Sequence, residues 1–335
     1  ASKGVRIMSM PVIDVHTHML NDEWLNRIRE YGGQHYTVRE LKGQDVIHMD
    51  GAPFMTLMPG MFDYAMRIEN MDKAGVDIAI VSLTCPSVSW GGQELSNDTA
   101  RMINDDMAAA QTTYPDRIRW FATLPWEYPD LAVEELTRAC DNGAVGVFVT
   151  ANIRGRSLTD SDLAPVWAAI DARGLPVLVH PAAPPGVGEM DMFSYNLVAS
   201  VGFTFDTTLA VSRMIFDGFF DTYKNLKIIA AHGGGYLPYL AGRLDFCYQN
   251  MPPCREKISR PPSTYLPEIY YDSVLFAQDA LELCVNVGGA ANVLYGSDYP
   301  HNIGDMKGCL SRVDSLPAET RRKVRGDNAM RIFNL

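Results

Sequence analysis

The chain has 335 residues, 47% hydrophobic and 21% charged, the balance of an ordinary globular protein and not of a disordered one. Its 40 acidic and 29 basic residues leave a net charge of -11. No Lys/Arg-rich run offers a stripe for phosphates, so nucleic acid is excluded as a partner while an anionic small molecule in a local pocket is not. The six cysteines form no CxxC, the N-terminal "ASKGVRIMSM" is too short and polar for a signal peptide, and no apolar run approaches the roughly 18 residues of a membrane span. These features predict a soluble cytoplasmic protein with reduced thiols and no membrane partner.

The first element is a strand at about 12–18, "VIDVHTH". A long stretch, 20–60, follows, with Gly and Pro at turn-forming places, and reads as an irregular insertion or lid over a site. From 62 the chain becomes regular. "FDYAMRIENMDKAG" has helical spacing and ends at Gly75, and the β-branched run "VDIAIVSLT" comes next. The same helix–strand unit recurs through the strands "IRWFATLP", "AVGVFVTA", "LPVLVHP", "LKIIAAH", "EIYYDSV" and "NVLYGSDYP", with helices expected in about 206–221, 236–249 and 277–287 among others. The Pro-rich stretch 251–268 reads as a long loop.

Eight apolar strands separated by helices point to a parallel sheet covered on its outer side. The fold class expected is α/β, a (β/α)₈ TIM-type barrel forming one domain over 1–335, because no Gly-rich turn follows the first strand as it would in a doubly wound nucleotide-binding sheet.

In such a barrel the chemistry sits at the C-terminal ends of the strands. His16 and His18 end the first strand on one face, His180 ends "LPVLVHP", His232 ends "LKIIAAH", and Asp298 stands in "NVLYGSDYP". Four of the seven histidines thus fall on one rim with an aspartate. Imidazoles and a carboxylate suit Zn²⁺, and also Mn²⁺ or Fe²⁺. His16, His18, His180 and Asp298 are the expected ligands, and His232 the nearby acid/base, although spacing alone does not separate a fifth ligand from a proton carrier. Asp14, one pleat deeper, is a candidate partner behind the ligands. His35 and His48 lie in the insertion, where solvated or pocket positions are both open.

The combination "IDVHTHML", "MDKAGVDIAIVS", "FATLP", "VLVHP", "IIAAHGGGYLPYLAGR", "LYGSDYP" and "DNAMRIF" resembles the amidohydrolase superfamily over nearly the whole chain. Within it, the pattern is similar to the branch of metal-dependent decarboxylases typified by 2-amino-3-carboxymuconate 6-semialdehyde decarboxylase. The resemblance implies one divalent metal, zinc first and manganese second, on His16, His18, His180 and Asp298. It implies that His232 activates the metal-bound water, and that no carbamylated lysine bridges two metals, since "AVGVFVTA" ends without a lysine. Arg243 matches an arginine that in relatives enters the neighbouring subunit's pocket to hold a substrate carboxylate, which implies a homodimer.

Three pocket positions depart from the typical member. Met58 replaces a substrate-binding arginine, Asn196 a tryptophan and His301 an aromatic. With them as substrate contacts, the expected activity is non-oxidative decarboxylation of a small aromatic or muconate-like carboxylic acid, with Asp298 and His232 as the catalytic pair. The alternatives are a metal-dependent hydrolase opening a lactone or amide and, from another class, a non-catalytic metal-binding scaffold.

Overall fold

The computed structural model describes residues 10–335, so the stretch compared above with a signal peptide lies outside the described residues except for Met10. The strand β1 (Ile13–His18) is followed by a helix (Asp22–Tyr31) and by three antiparallel strands, β2 (Tyr36–Leu41), β3 (Gln44–Met49) and β4 (Ala52–Thr56). The alternation then sets in. Strands β5 (Ile78–Ser82), β6 (Ile118–Thr123) and β7 (Gly146–Thr150) precede a short hairpin, β8 (Asn152–Ile153) and β9 (Arg156–Ser157). Strands β10 (Pro176–His180), β11 (Lys227–Ala230), β12 (Tyr270–Asp272) and β13 (Val293–Leu294) complete the set.

Eight of these strands form one parallel sheet in the order β1-β5-β6-β7-β10-β11-β12-β13. The ring is closed by a parallel bridge between Thr17 and Tyr299 and by the Val15 amide donating to the Tyr295 carbonyl at 3.0 Å. The expected barrel is therefore the observed architecture.

Strand alternation separates two cores. Val177, Val179, Ile228 and Ala230 face outward into the layer shared with the helices. Ile13, Ile80, Phe121, Phe148, Leu178, Ile229 and Leu294 fill the barrel from seven strands and meet Ala329, Ile332 and Phe333 of the last helix (Asn328–Phe333). Phe121 and Phe333 pack edge to face at 5.5 Å. The barrel is thus a packed interior closed at one end, which leaves the other end, where the strands finish, for the site.

Two expectations need correction. The stretch 20–60 is not irregular: its helix is capped by the Asn21 side chain accepting from the Trp24 amide, and its strands are joined by two-residue turns at Lys42–Gly43 and Asp50–Gly51. All four turn residues have positive φ, 52°, 79°, 51° and 84°, as hairpin turns that match the strand twist require. The "KG" and "DG" pairs are the hairpin signals of this stretch in the sequence. The helix expected over 206–221 is broken: it runs Phe203–Phe216, stops at Gly218, whose φ is 76°, and resumes as Phe219–Thr222.

Candidate active site

The open end of the barrel collects four donors from three places, two from β1, one from β10 and one from the segment after β13. His16, His18, His180 and Asp298 are all buried, and one ligand atom from each lies within 4.8 Å of all the others. Each imidazole is held by its Nδ1–H. His16 donates to the Asp272 carboxylate at 2.6 Å, His18 to the Leu83 carbonyl at 2.9 Å and His180 to the Pro181 carbonyl at 2.8 Å. Fixing the proton on Nδ1 leaves the Nε2 lone pair of each ring free.

His16 Nε2 and His18 Nε2 approach Asp298 Oδ1 at 3.3 and 3.2 Å, and all three of these atoms are buried without a hydrogen-bond partner. Orphaned donors of this kind converging on one point are what a cation would satisfy. The set fits one divalent metal.

The electrostatics agree with that fit. Burial disfavours an imidazolium at His16, but the Asp272 and Asp298 carboxylates outweigh it and carry its pKa up to about 10. Burial holds His18 down, and His180 well below the usual histidine range, helped there by the neighbouring imidazoles. Burial would raise Asp298, yet the His16 imidazole first, and then the His18 and His232 rings close to it, keep it well below the carboxylate range. Of the three imidazoles only His16 is favoured in its protonated form, between the Asp272 and Asp298 carboxylates, and a metal on the cluster would take over that positive charge.

Asp272 is the residue that the sequence reading missed. Besides His16 it accepts from the amides of Gly233 at 3.3 Å and Val274 at 3.0 Å, tying β12 to the turn after β11. It ends an apolar strand just as His180 does, so the rule that found the ligands could have found it. Asp14, by contrast, does not touch a ligand side chain. Its carboxylate binds the Ser297 hydroxyl and amide and the His16 amide, fastening β1 to the segment that carries Asp298.

His232 follows β11 with its Nε2 3.4 Å from Asp298 Oδ2 and its Nδ1 buried without a partner. Both residues sit in the left-handed region, His232 at φ 54° and Asp298 at φ 60°, a conformation that costs a non-glycine residue of order 1 kcal/mol or more and concentrates at functional sites. The three glycines after His232 continue the left-handed run. At Gly235 a Cβ would strike the Thr204 carbonyl, so the turn presenting His232 depends on glycine there.

Above the cluster lies a cavity of about 440 Å³ whose lining includes His180, His232, Asp298, His301, Asn196 and Thr84. The His301 ring packs 4.9 Å from that of His18, its Nε2 is 3.0 Å from Thr84 Oγ1, and burial lowers its pKa to about 4. Met58 does not line this cavity. It precedes a 3₁₀ turn (Pro59–Met61), and its side chain packs against the main core. Arg243 is exposed and outside the cavity of its own chain. His35 pairs with Asp50 at 2.6 Å away from the cluster, and His48 is buried in the insertion sheet with its Nδ1 donating to the Val46 carbonyl.

The sequence pattern of the amidohydrolase family matches residues 13–335. The chain belongs to the amidohydrolase family. This amidohydrolase is 29% identical to 2-amino-3-carboxymuconate-6-semialdehyde decarboxylase from Dictyostelium discoideum over 96% of the chain and 91% of the relative. It is 30% identical to gamma-resorcylate decarboxylase from Polaromonas sp. over 80% of the chain and 86% of the relative. Among solved structures, a dihydroxybenzoic acid decarboxylase from Polaromonas sp. with bound manganese superposes with a TM-score of 0.81 over 97% of both chains at 24% identity, which attests the fold.

Proposed function

We infer that this amidohydrolase is a metal-dependent, non-oxidative decarboxylase, a carboxy-lyase that removes CO₂ from a small aromatic carboxylic acid. The observation that supports it most is the buried cluster of His16, His18, His180 and Asp298 with His232 against it, opening into one cavity, in a chain whose relatives of similar length are named decarboxylases.

His16, His18, His180 and Asp298 would hold one metal. Zinc is the first candidate for three imidazoles and a carboxylate, and manganese the second. A divalent cation held there would supply fixed positive charge to stabilise the electrons left on the ring as the C–C bond breaks. The chain's own residues handle the proton. Loss of CO₂ from an aromatic carboxylate requires one proton at the carbon that carried it, and we assign its delivery to His232, with Asp298 beside it. His301, Asn196 and the outer wall orient the ring. Met58 acts only indirectly, through the packing of the insertion.

A homodimer is the assembly we propose, with Arg243 of one copy near the site of the other. Its helix (Leu237–Asn250) also exposes Tyr239 and Phe246 at 80% and 69%, an apolar surface that a second copy would cover. Among the described residues no helix is long and apolar enough to cross a membrane, and the six cysteines are unpaired, which supports a reducing, cytoplasmic setting.

The test is a screen of ortho-hydroxy and ortho-amino aromatic carboxylates by absorbance loss and CO₂ release in ¹⁸O-labelled water. One CO₂ per substrate with no ¹⁸O in the ring product is expected. Ring or amide opening with ¹⁸O uptake and no CO₂ would establish a hydrolase instead.

A further inference from the structure

The cavity over the cluster is about 440 Å³, roughly three times the ~150 Å³ apolar cavity that accommodates one benzene. A hydroxybenzoate by itself leaves much of it empty. The character of the wall says what fills the rest.

Polar groups gather at the floor, where His180, His232 and Asp298 are buried. Away from it the wall is mostly apolar, interrupted by neutral polar residues such as Thr56, Ser200, Thr204 and Asn302, and comes from separate elements. Val46 and Phe54 belong to the insertion sheet, Phe203 begins the helix Phe203–Phe216, and Phe276 and Ile303, half-exposed at the mouth, follow β12 and β13. The rings of Phe54 and Phe203 meet edge to face at 6.1 Å and 89°, so insertion and barrel close one side together. Among the described residues lining the cavity there is no lysine or arginine, and the one carboxylate is Asp298.

Within one chain, a second acidic group on the substrate would be desolvated against this wall without a lysine or arginine of the lining to pair with. An alkyl or aryl group in the same place would gain by leaving water. Resting on the decarboxylase reading above, we propose that the substrate is a ring monocarboxylate bearing an apolar substituent of several carbons meta or para to the carboxylate. A second anion on the ring is rejected.

The experiment uses metal-loaded protein and a series built on 2-hydroxybenzoate, with hydrogen, propyl, phenyl or a second carboxylate meta or para to the first. Each compound is measured by titration calorimetry and by CO₂ release. Propyl and phenyl should tighten binding at least about tenfold, and the second carboxylate should weaken it at least about a hundredfold. Phe54→Arg, or Phe276→Arg at the mouth, should shift the preference toward the second carboxylate.

A flat series, or tightest binding of the dicarboxylate, overturns the proposal. So does a dicarboxylate preference that vanishes in Arg243→Ala, because the cation would then come from a second copy. Binding in the expected order without CO₂ release leaves the substrate class standing and overturns the decarboxylase reading, so the two failures are distinguishable.

Discussion

The floor and the wall of the cavity are built on opposite principles. His16, His18 and His180 at the floor are each pinned through Nδ1 to a carbonyl or carboxylate 2.6 to 2.9 Å away, and His16 and His18 converge on Asp298. The wall has no comparable polar anchoring: Phe54 and Phe203 hold their places by packing, and Val46 beside them is buried. Fixed polar geometry suits chemistry, which fails when a donor moves by an ångström, whereas an apolar surface can be reshaped by exchanging side chains of similar volume. On the function proposed above, the floor would set the reaction and the wall the choice of substrate.

Substitutions can break that division. The largest effect should follow from His232→Asn, which removes the proton carrier and leaves the four donors intact. Turnover should fall by about 10²- to 10⁴-fold while metal content, measured by elemental analysis, stays at the wild-type value. Loss of metal in this variant would make His232 a ligand.

Next comes Asp272→Asn, which withdraws the charge behind His16. Metal affinity, measured against a competing chelator, should weaken about 10- to 100-fold, and activity should return at saturating metal. Phe54→Ala on the wall should raise KM by about tenfold, with kcat and metal content nearly unchanged. A large fall in kcat instead would place the insertion in the chemistry and erase the distinction.

Asp206 joins the two regions, and its effect on turnover should be the smallest. Its carboxylate accepts from the Ala182 amide, just after His180, and from Asn152 after β7, while its helix carries Phe203. Burial, opposed by those hydrogen bonds, raises its pKa to about 6. A carboxyl whose pKa is higher folded than unfolded contributes stability that is full below about 4 and is lost as pH rises through 6, here by about 2–3 kcal/mol. Denaturant unfolding between pH 4 and 7 should show that loss, relative to Asp206→Asn, as pH increases.

The same division explains what could be read in advance. Barrel strands are near-continuous apolar runs, and a polar residue ending such a run has one place to go, so His16, His18, His180, His232 and Asp298 were legible one by one. Asp272 was equally legible and was overlooked. The wall was not readable in that way, because which insertion side chain faces the cavity depends on hairpin register. Met58 was expected in the pocket by alignment and packs into the core instead, while Val46 and Phe54, neighbours of the two tight turns, form the surface. Asp14 faced the right way along β1, but the β1–β5 register slips between Asp14 and Thr17, and its carboxylate was taken up by Ser297.

The most direct test of the account is the metal content of the purified protein beside that of the double variant His16→Ala/His18→Ala. We expect about one divalent ion per wild-type chain and CO₂ release that scales with it, and neither in the variant, which should still fold. A wild-type protein without stoichiometric metal, or a variant that keeps it, would contradict the assignment of the cluster and the function built on it.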